Sequence, residues 1–164
     1  MSELKIRNVL PEDLACVSQI EAVCFPSAEA APKDVLKERI SVFPEGFFVA
    51  ELNNEIIGFI NGGATNKNYI EDAFFKTMNL HMSNGDNLVI FGLDVHPNYQ
   101  RKGFAKELME YYIEAAKKDG RKKILLTCKE HLIKYYEQFG YINEGVSASE
   151  HGGAKWYDMV LGLE

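Results

Sequence analysis

The sequence predicts a mixed α/β fold, an α+β mixed sheet with one parallel strand pair and helices on its faces. Three observations carry that expectation. Short β-type and helix-type patterns succeed one another in the order β-α-α-β-β-β-α-β-α-β-β. Leu88 to Val95 is a near-continuous apolar run of strand length, as expected of a central strand covered on both sides. Phe104, Ala105, Leu108, Met109, Tyr112 and Ala116 then mark an amphipathic helix. It leads into a second apolar run, Lys123–Cys128, and such a crossover makes the two strands parallel.

The elements follow in order. Leu4 to Asn8 reads as a strand. Pro11 opens a helix whose first turn carries Glu12 and Asp13, where the helix dipole favours acids, and whose apolar positions are Leu14, Val17, Ile20 and Cys24. A second helix starts at Pro32, with Val35, Leu36, Ile40 and Phe43 as its stripe. Strands Gly46–Leu52 and Glu55–Gly62 flank Asn53-Asn54, a pair that tolerates the left-handed backbone of a tight hairpin. Asn66 to Asp86 lacks a period and is expected to be loop plus a short helix. Pro97 ends the central strand, and Gly120 ends the long helix. His131–Phe139 is a short helix, and Tyr141–Ser147 and Lys155–Leu161 are the closing strands. Neither a repeat nor a linker divides the chain, so residues 1–164 are read as one domain.

Composition excludes several classes. With 46% apolar and 26% charged residues the chain is neither disordered nor fibrous. No apolar run approaches the roughly 20 residues of a membrane span, and the stretch beginning Met1-Ser2 has no signal-peptide core. Three cysteines (Cys16, Cys24, Cys128) without framework spacing suit a reducing cytoplasm. The net charge of −6 argues against a nucleic-acid partner. Within that total, residues 101–123 hold eight basic and four acidic side chains, leaving −10 on the remainder. A positive island on an acidic chain suits a small polyanion beside a surface for cations.

The stretch Leu93 to Ala105 runs from strand to turn to glycine to helix. A helix N-terminus presents unpaired N–H groups and the positive dipole end, so it holds phosphate oxygens. Gly103 permits close backbone approach, and Arg101, Lys102 and Lys106 add charge. No Gly-Lys-Ser/Thr follows, so this is not a P-loop, and a single glycine does not make a dinucleotide fingerprint. Cys128 and His131 have ligand spacing but no second pair, so no metal site is expected. Cys24 has no identifiable His/Asp support for a nucleophile.

Gln100-Arg101-Lys102-Gly103-Phe104-Ala105 resembles the acetyl-CoA loop, Gln/Arg-x-x-Gly-x-Gly/Ala, of the GNAT N-acetyltransferases. Leu93-x-Val95-x-Pro97 and Tyr135-Tyr136-Glu137-Gln138-Phe139-Gly140-Tyr141 match that superfamily too. Within it the chain is similar to the arylalkylamine (serotonin-type) enzymes and their microbial relatives. That likeness rests on Phe25…Pro32, Asn79-Leu80-His81, Val95-His96, Cys128-Lys129-Glu130-His131-Leu132 and Ser149 to Met159.

The resemblance implies a GNAT-type sheet in which the fourth and fifth strands splay and acetyl-CoA enters the gap. By carry-over Leu93, Asp94 and Val95 line the pantetheine arm, Asp94 through its main chain with its carboxylate directed elsewhere. Arg101, Lys102, Gly103, Phe104, Ala105 and Lys106 cradle the diphosphate. Gly92 is consistent with a bulge that starts the splay. Tyr136 matches the general acid, Tyr135 lying one residue out of register. Phe25 and Pro32 match the substrate loop.

The vertebrate enzymes carry a His-x-His pair where this chain has Val89 and Phe91, so the base is left open between His81, Glu29, His151 and solvent. Phe47, Phe48, Phe74, Phe75 and Trp156 are further candidates for an aromatic wall. The expected activity is transfer of acetyl from acetyl-CoA to a primary amine, an aralkylamine or diamine, in a ternary complex. A protein N-terminal or lysine acetyltransferase and a non-catalytic acyl-CoA sensor are the alternatives. The expected partner is a small amine, with no nucleic acid and no membrane, and the chain acts as a monomer or homodimer.

Overall fold

In a computed structural model of the protein, residues 3–163 are described. Met1 and Ser2 of the N-terminal stretch, and Glu164 at the end of the expected domain, lie outside them. Seven strands form one sheet in the order β1-β2-β3-β4-β5-β7-β6. They are β1 (Lys5–Asn8), β2 (Phe47–Leu52), β3 (Glu55–Thr65), β4 (Asn87–Val95), β5 (Lys123–Cys128), β6 (Ile142–Val146) and β7 (Tyr157–Gly162). Only β4 and β5 are parallel, connected by α3 (Phe104–Lys118) as the crossover requires. Helices α1 (Leu14–Cys24) and α2 (Lys33–Val42) cover one face; α3 and α4 (Ile133–Glu137) cover the other.

The alternation of β2 explains why both faces are covered. Phe47 and Val49 point to a core with Val17, Ile20, Leu36 and Ile40, while Phe48 and Ala50 point to one with Leu108, Met109 and Tyr112. The Phe47 ring stacks on Phe59 of β3 at 5.4 Å. At the β2–β3 hairpin, Asn53 and Asn54 both have positive φ (53° and 67°), the two-residue turn that matches strand twist.

Two expectations are corrected. β3 does not stop at Gly62 but runs to Thr65, pairing Gly63, Ala64 and Thr65 with Val89, Leu88 and Asn87, and residue 62 is glycine because no side chain fits there. A Cβ there would come within 2.1 Å of the Val89 carbonyl oxygen and 2.5 Å of the Tyr112 hydroxyl. Residues 66–86 hold no α-helix but two 3-10 turns, Asp72–Phe75 and Met78–Leu80. Side chain–backbone bonds pin this segment instead of a periodic stripe. Ala64 N–H donates to His81 Nδ1 (3.0 Å), Asp86 N–H to Asn66 Oδ1 (2.9 Å), and Arg121 to the Ser83 carbonyl (3.1 Å).

Asp13, expected simply to serve the helix dipole, does more. Its carboxylate accepts from Arg7 Nη1 at 2.8 Å, Arg7 Nη2 at 3.1 Å and the Leu10 amide at 2.8 Å, so it ties β1 to the entry of α1. Burial pushes this carboxyl up, but the Arg7 and Leu10 donors outweigh it and hold it below the ordinary carboxylate range. The stability it contributes is therefore present above the unfolded-state value and lost as pH falls through the lower folded-state value. Asp13→Ala should cost about 1–3 kcal/mol at neutral pH. Urea melts of the two proteins should converge as pH drops through the carboxylate range.

Candidate active site

The β4–β5 ladder is short. Asn87, Leu88 and Val89 pair with Lys123, Ile124 and Leu125, and beyond them the strands part. The divergence begins at a β-bulge. On β3, Asn61 faces Gly92 and Gly62 faces Ile90, which leaves Phe91 as an extra residue on β4. Beyond the ladder, Ile90–Val95 and Leu126–Cys128 leave their facing edges unpaired with each other. The gap opens into two spaces that share Leu93, Leu132 and Tyr136.

One space is a cleft of about 640 Å³ bounded by Leu93, Val95, Arg101, Gly103, Ala105 and Lys106, with Tyr135 and Tyr136 opposite. Its floor is the start of α3. Glu107 N–H is the first amide of the helix to reach a helical carbonyl, that of Gly103 at 3.1 Å. The amides of Phe104, Ala105 and Lys106 therefore lie in the unpaired first turn. Gly103 caps the helix with φ +86°, and a Cβ built on it meets nothing within 4 Å, so its α-carbon looks onto open space. Arg101 also has positive φ (63°). The Gln100 side chain closes this loop back onto β4, donating to the Val95 carbonyl at 2.9 Å, and the Cys24 thiol donates to the same oxygen at 3.2 Å.

The other space, about 270 Å³, lies on the far side of Tyr136 under the end of α1. Its wall is aromatic: Phe25, Phe75, Phe91 and Trp156. Polar groups converge at its rim. His151 stacks on Phe75 at 4.6 Å, and its Nε2 bonds the Glu29 carbonyl at 3.0 Å, so that nitrogen carries the hydrogen. The Glu29 carboxylate accepts from Lys129 Nζ at 2.8 Å, and Lys129 stands over the Trp156 ring at 5.7 Å.

Most of the expected residues converge here, with six departures. Leu93, Val95, Arg101, Gly103, Ala105 and Lys106 border the cleft; Phe104 turns inward toward the core, and Lys102 lies over Tyr99 at 6.0 Å. Phe25 walls the aromatic cavity, whereas Pro32 borders an adjoining depression reached past Glu29 and His151. His81 lies outside both spaces. Its Nδ1 is used by the Ala64 amide, and burial, then Arg121, lowers its affinity for a proton. Phe47 and Phe48 are core. Tyr136 is half-buried, and burial first, then Cys128, Tyr135 and Asp94, raises its phenol above the ordinary range, so it keeps its proton at neutral pH.

The Asp94 carboxyl lies away from the cleft, as expected, but its location is new. It is 1% exposed and meets Glu21 of α1, itself 5% exposed, with Arg39 of α2 close enough to act on both charges. Neither Glu21 nor Arg39 is among the residues the sequence motifs single out. The signal was present: each sits on the apolar stripe of its helix, beside Val17, Ile20 and Cys24 or beside Leu36 and Ile40.

Among the described residues no group of three or more His, Cys, Asp or Glu side chains could hold a metal ion, and no helix is long and apolar enough to cross a membrane. A splayed mixed sheet with a helix N-terminus under the gap defines an acyltransferase-type fold. The loading GNATL domain of CurA from Lyngbya majuscula shares it with a TM-score of 0.83 at 16% identity, over 96% of each chain. The model of the acetyltransferase (GNAT) family matches residues 14–141, and the chain belongs to that family. It is 28% identical over 170 residues to the Bacillus subtilis protein named probable hydrolase YhcX. That match covers 99% of this chain but 33% of YhcX, so the chain spans a third of that relative. It is 22% identical over 166 residues to serotonin N-acetyltransferase of Mesocricetus auratus, covering 97% of this chain and 77% of that one.

The thiols give a test of this geometry. Burial first, then Asp94 and Glu21, pushes the Cys24 thiol up to about 12, and burial pushes Cys128 up to about 11, while Cys16 is exposed. Titration of the native protein with an aromatic disulfide at pH 7.5 should show one fast thiol, lost in Cys16→Ser, and two that react on unfolding.

Proposed function

We propose that the protein is an acetyl-CoA-dependent N-acetyltransferase that acylates a small primary amine, an aralkylamine or diamine, by direct transfer in a ternary complex. The observation that carries this reading is the meeting of two different spaces at one phenol. A cleft with unpaired helix amides suits a diphosphate, and an aromatic cavity with acidic groups suits an amine; Tyr136 borders both.

The residues fit acetyl-CoA. The Gly103 α-carbon offers open space to phosphate oxygens, the amides of Phe104, Ala105 and Lys106 supply donors, and Arg101, Lys102 and Lys106 supply charge. Leu93 and Val95 would flank the arm beside the unladdered edge of β4, with Asp94 contributing main chain alone. The bound thioester supplies an activated acetyl group. Tyr136, protonated at neutral pH, gives its proton to the departing sulfur. Phe25, Phe75 and Trp156 exclude water and stack on the acceptor, and the −10 charge outside residues 101–123 attracts a cation. The protein works in the cytoplasm as a monomer or homodimer, without nucleic acid or membrane. Membership of the family and the serotonin N-acetyltransferase relative support the chemistry; the aromatic wall supports the substrate class.

Thiol release from acetyl-CoA across tryptamine, phenethylamine, polyamines and short peptides tests the assignment. Turnover with the small amines, weakened by salt, is expected. Turnover with peptides alone would move the acceptor to a protein N-terminus or lysine, and tight acetyl-CoA binding with no turnover would make the protein a sensor. Tyr136→Phe should lower kcat by about a hundredfold with little change in acetyl-CoA affinity, since only a proton donor is lost. Gly103→Val should weaken cofactor binding first, because a branched side chain would stand in the open approach and strain the positive φ. Calorimetric titration with acetyl-CoA separates the two.

A further inference from the structure

Beneath the aromatic cavity lies an arrangement that neither the family match nor the expected site residues account for. Glu21, Asp94 and Arg39 are each no more than 5% exposed, and they come from three elements, α1, β4 and α2. Asn61 of β3 stands among them. Arg39 Nη1 donates to Asn61 Oδ1 at 3.0 Å and Nη2 to the Phe75 carbonyl at 3.0 Å, and the guanidinium lies over the Phe91 ring at 4.3 Å. Neither of those bonds goes to a carboxylate. One Glu21 oxygen accepts from the Ala31 amide at 2.8 Å. The other, with both Asp94 oxygens, is buried without a donor from any described residue.

The two carboxyls converge on one spot. A Cβ on Gly92 would lie 3.0 Å from Asp94 Oδ1, 3.9 Å from Glu21 Oε1 and 3.6 Å from Asn61 Nδ2. Two buried acceptors that face each other with no donor between them are strongly unfavourable, and one proton turns the same contact into a hydrogen bond. With that proton in place the pair carries −1, which matches Arg39. The glycine at 92 leaves the space in which the carboxyls meet, and Glu21 also borders the aromatic cavity.

We infer that the Glu21–Asp94 pair, holding one shared proton, is the proton acceptor for the substrate ammonium, Glu21 taking the proton and Asp94 positioning it. This rests on the amine-acetylation reading above. The ammonium N–H bond breaks toward the Glu21 carboxylate, directly or through one water. The freed lone pair forms the N–C bond, the C–S bond breaks, and sulfur takes the Tyr136 proton. The second proton shed by nitrogen as the amide forms restores the phenol through water, and the proton on the pair leaves to solvent with the product.

Other charged and titratable groups face this centre. From α2 come Arg39 and, through it, Glu38; from α1, Cys24; from α4, Tyr136, on which the Asp94 charge acts; at the cavity rim stand Glu29 with Lys129, and His151. Burial lowers Arg39 only to about 10, so it stays cationic in the working range. Glu29 is paired with Lys129, and one ring nitrogen of His151 is committed to a carbonyl. Glu21 is the carboxylate at the cavity whose charge no cation takes directly.

The test is the pH profile of kcat/KM for the best amine of the panel, with acetyl-CoA affinity measured in parallel. Glu21→Gln should lower kcat/KM about a hundredfold or more at pH 7. The deficit should close as pH rises toward the amine's own ionisation, with acetyl-CoA affinity unchanged. Asp94→Asn, which places an amide donor against Glu21, should shift the acid limb to lower pH. An active wild type whose Glu21→Gln variant keeps both rate and profile would overturn the pair as base and leave the acetyltransferase reading standing. A wild type inert toward every amine would overturn that reading and the inference with it. Should Glu21→Gln fail to fold, the Asp94→Asn profile decides, and an unmoved acid limb overturns the inference.

Discussion

The parting of β4 and β5 is imposed by one extra residue. A parallel ladder, once begun, gains from each added pair, and these two strands abandon theirs after three. Phe91 is the reason: it enters β4 as a bulge against β3, rotates the strand that follows, and directs the rest of it away from β5. Gly62 lets β3 lie close enough to accept that distortion, and Phe91 itself is held between the Phe74 and Phe75 rings and the Arg39 guanidinium. The cleft, the aromatic cavity and the meeting of Glu21 with Asp94 all lie downstream of this single insertion.

The polar interior follows the same constraint. A strand covered on both faces ordinarily carries apolar side chains alone, yet β4 carries Asp94 and β3 carries Asn61, both fully buried. They lie where the bulge leaves room, and the helices supply what they need: Arg39 from α2 gives charge, and Glu21 from α1 gives a partner. Removing a single member would strand the others, so the cluster holds α1, α2 and the sheet in one mutual arrangement.

Much of this was legible in the sequence. The order of strands and helices, the Asn53-Asn54 turn, the doubly covered β4 and the loop before α3 each rest on a local pattern of residue types, and each is found in the structure. What escaped notice depends on distance. Gly62 and Gly63 looked like the end of a strand because their small size serves neighbours on β4 and α3. Residues 66–86 had no period because their contacts are individual bonds to Ala64, Asp86 and Arg121. Glu21 and Arg39 carry no signal in any motif, because helix periodicity reports which face is buried, not what a charged residue on that face will meet. The cleft residues came from a motif, whereas Pro32, close in sequence to Phe25, lines an adjoining depression instead of the aromatic cavity.

The sheet order also bears on how the chain is made. β7 lies between β5 and β6, antiparallel to both, although β6 precedes it in the sequence. As the polypeptide leaves the ribosome, β5 keeps one open edge through the synthesis of α4 and β6, and β6 has no place to dock until residues 157–162 arrive. The half of the molecule that carries Tyr136 therefore waits on the last strand, while the α1–α2 half can assemble on β1–β4 well before. Nascent chains halted before residue 157 would expose the Lys123–Cys128 edge, an apolar strand of high pairing tendency, to whatever lies nearby.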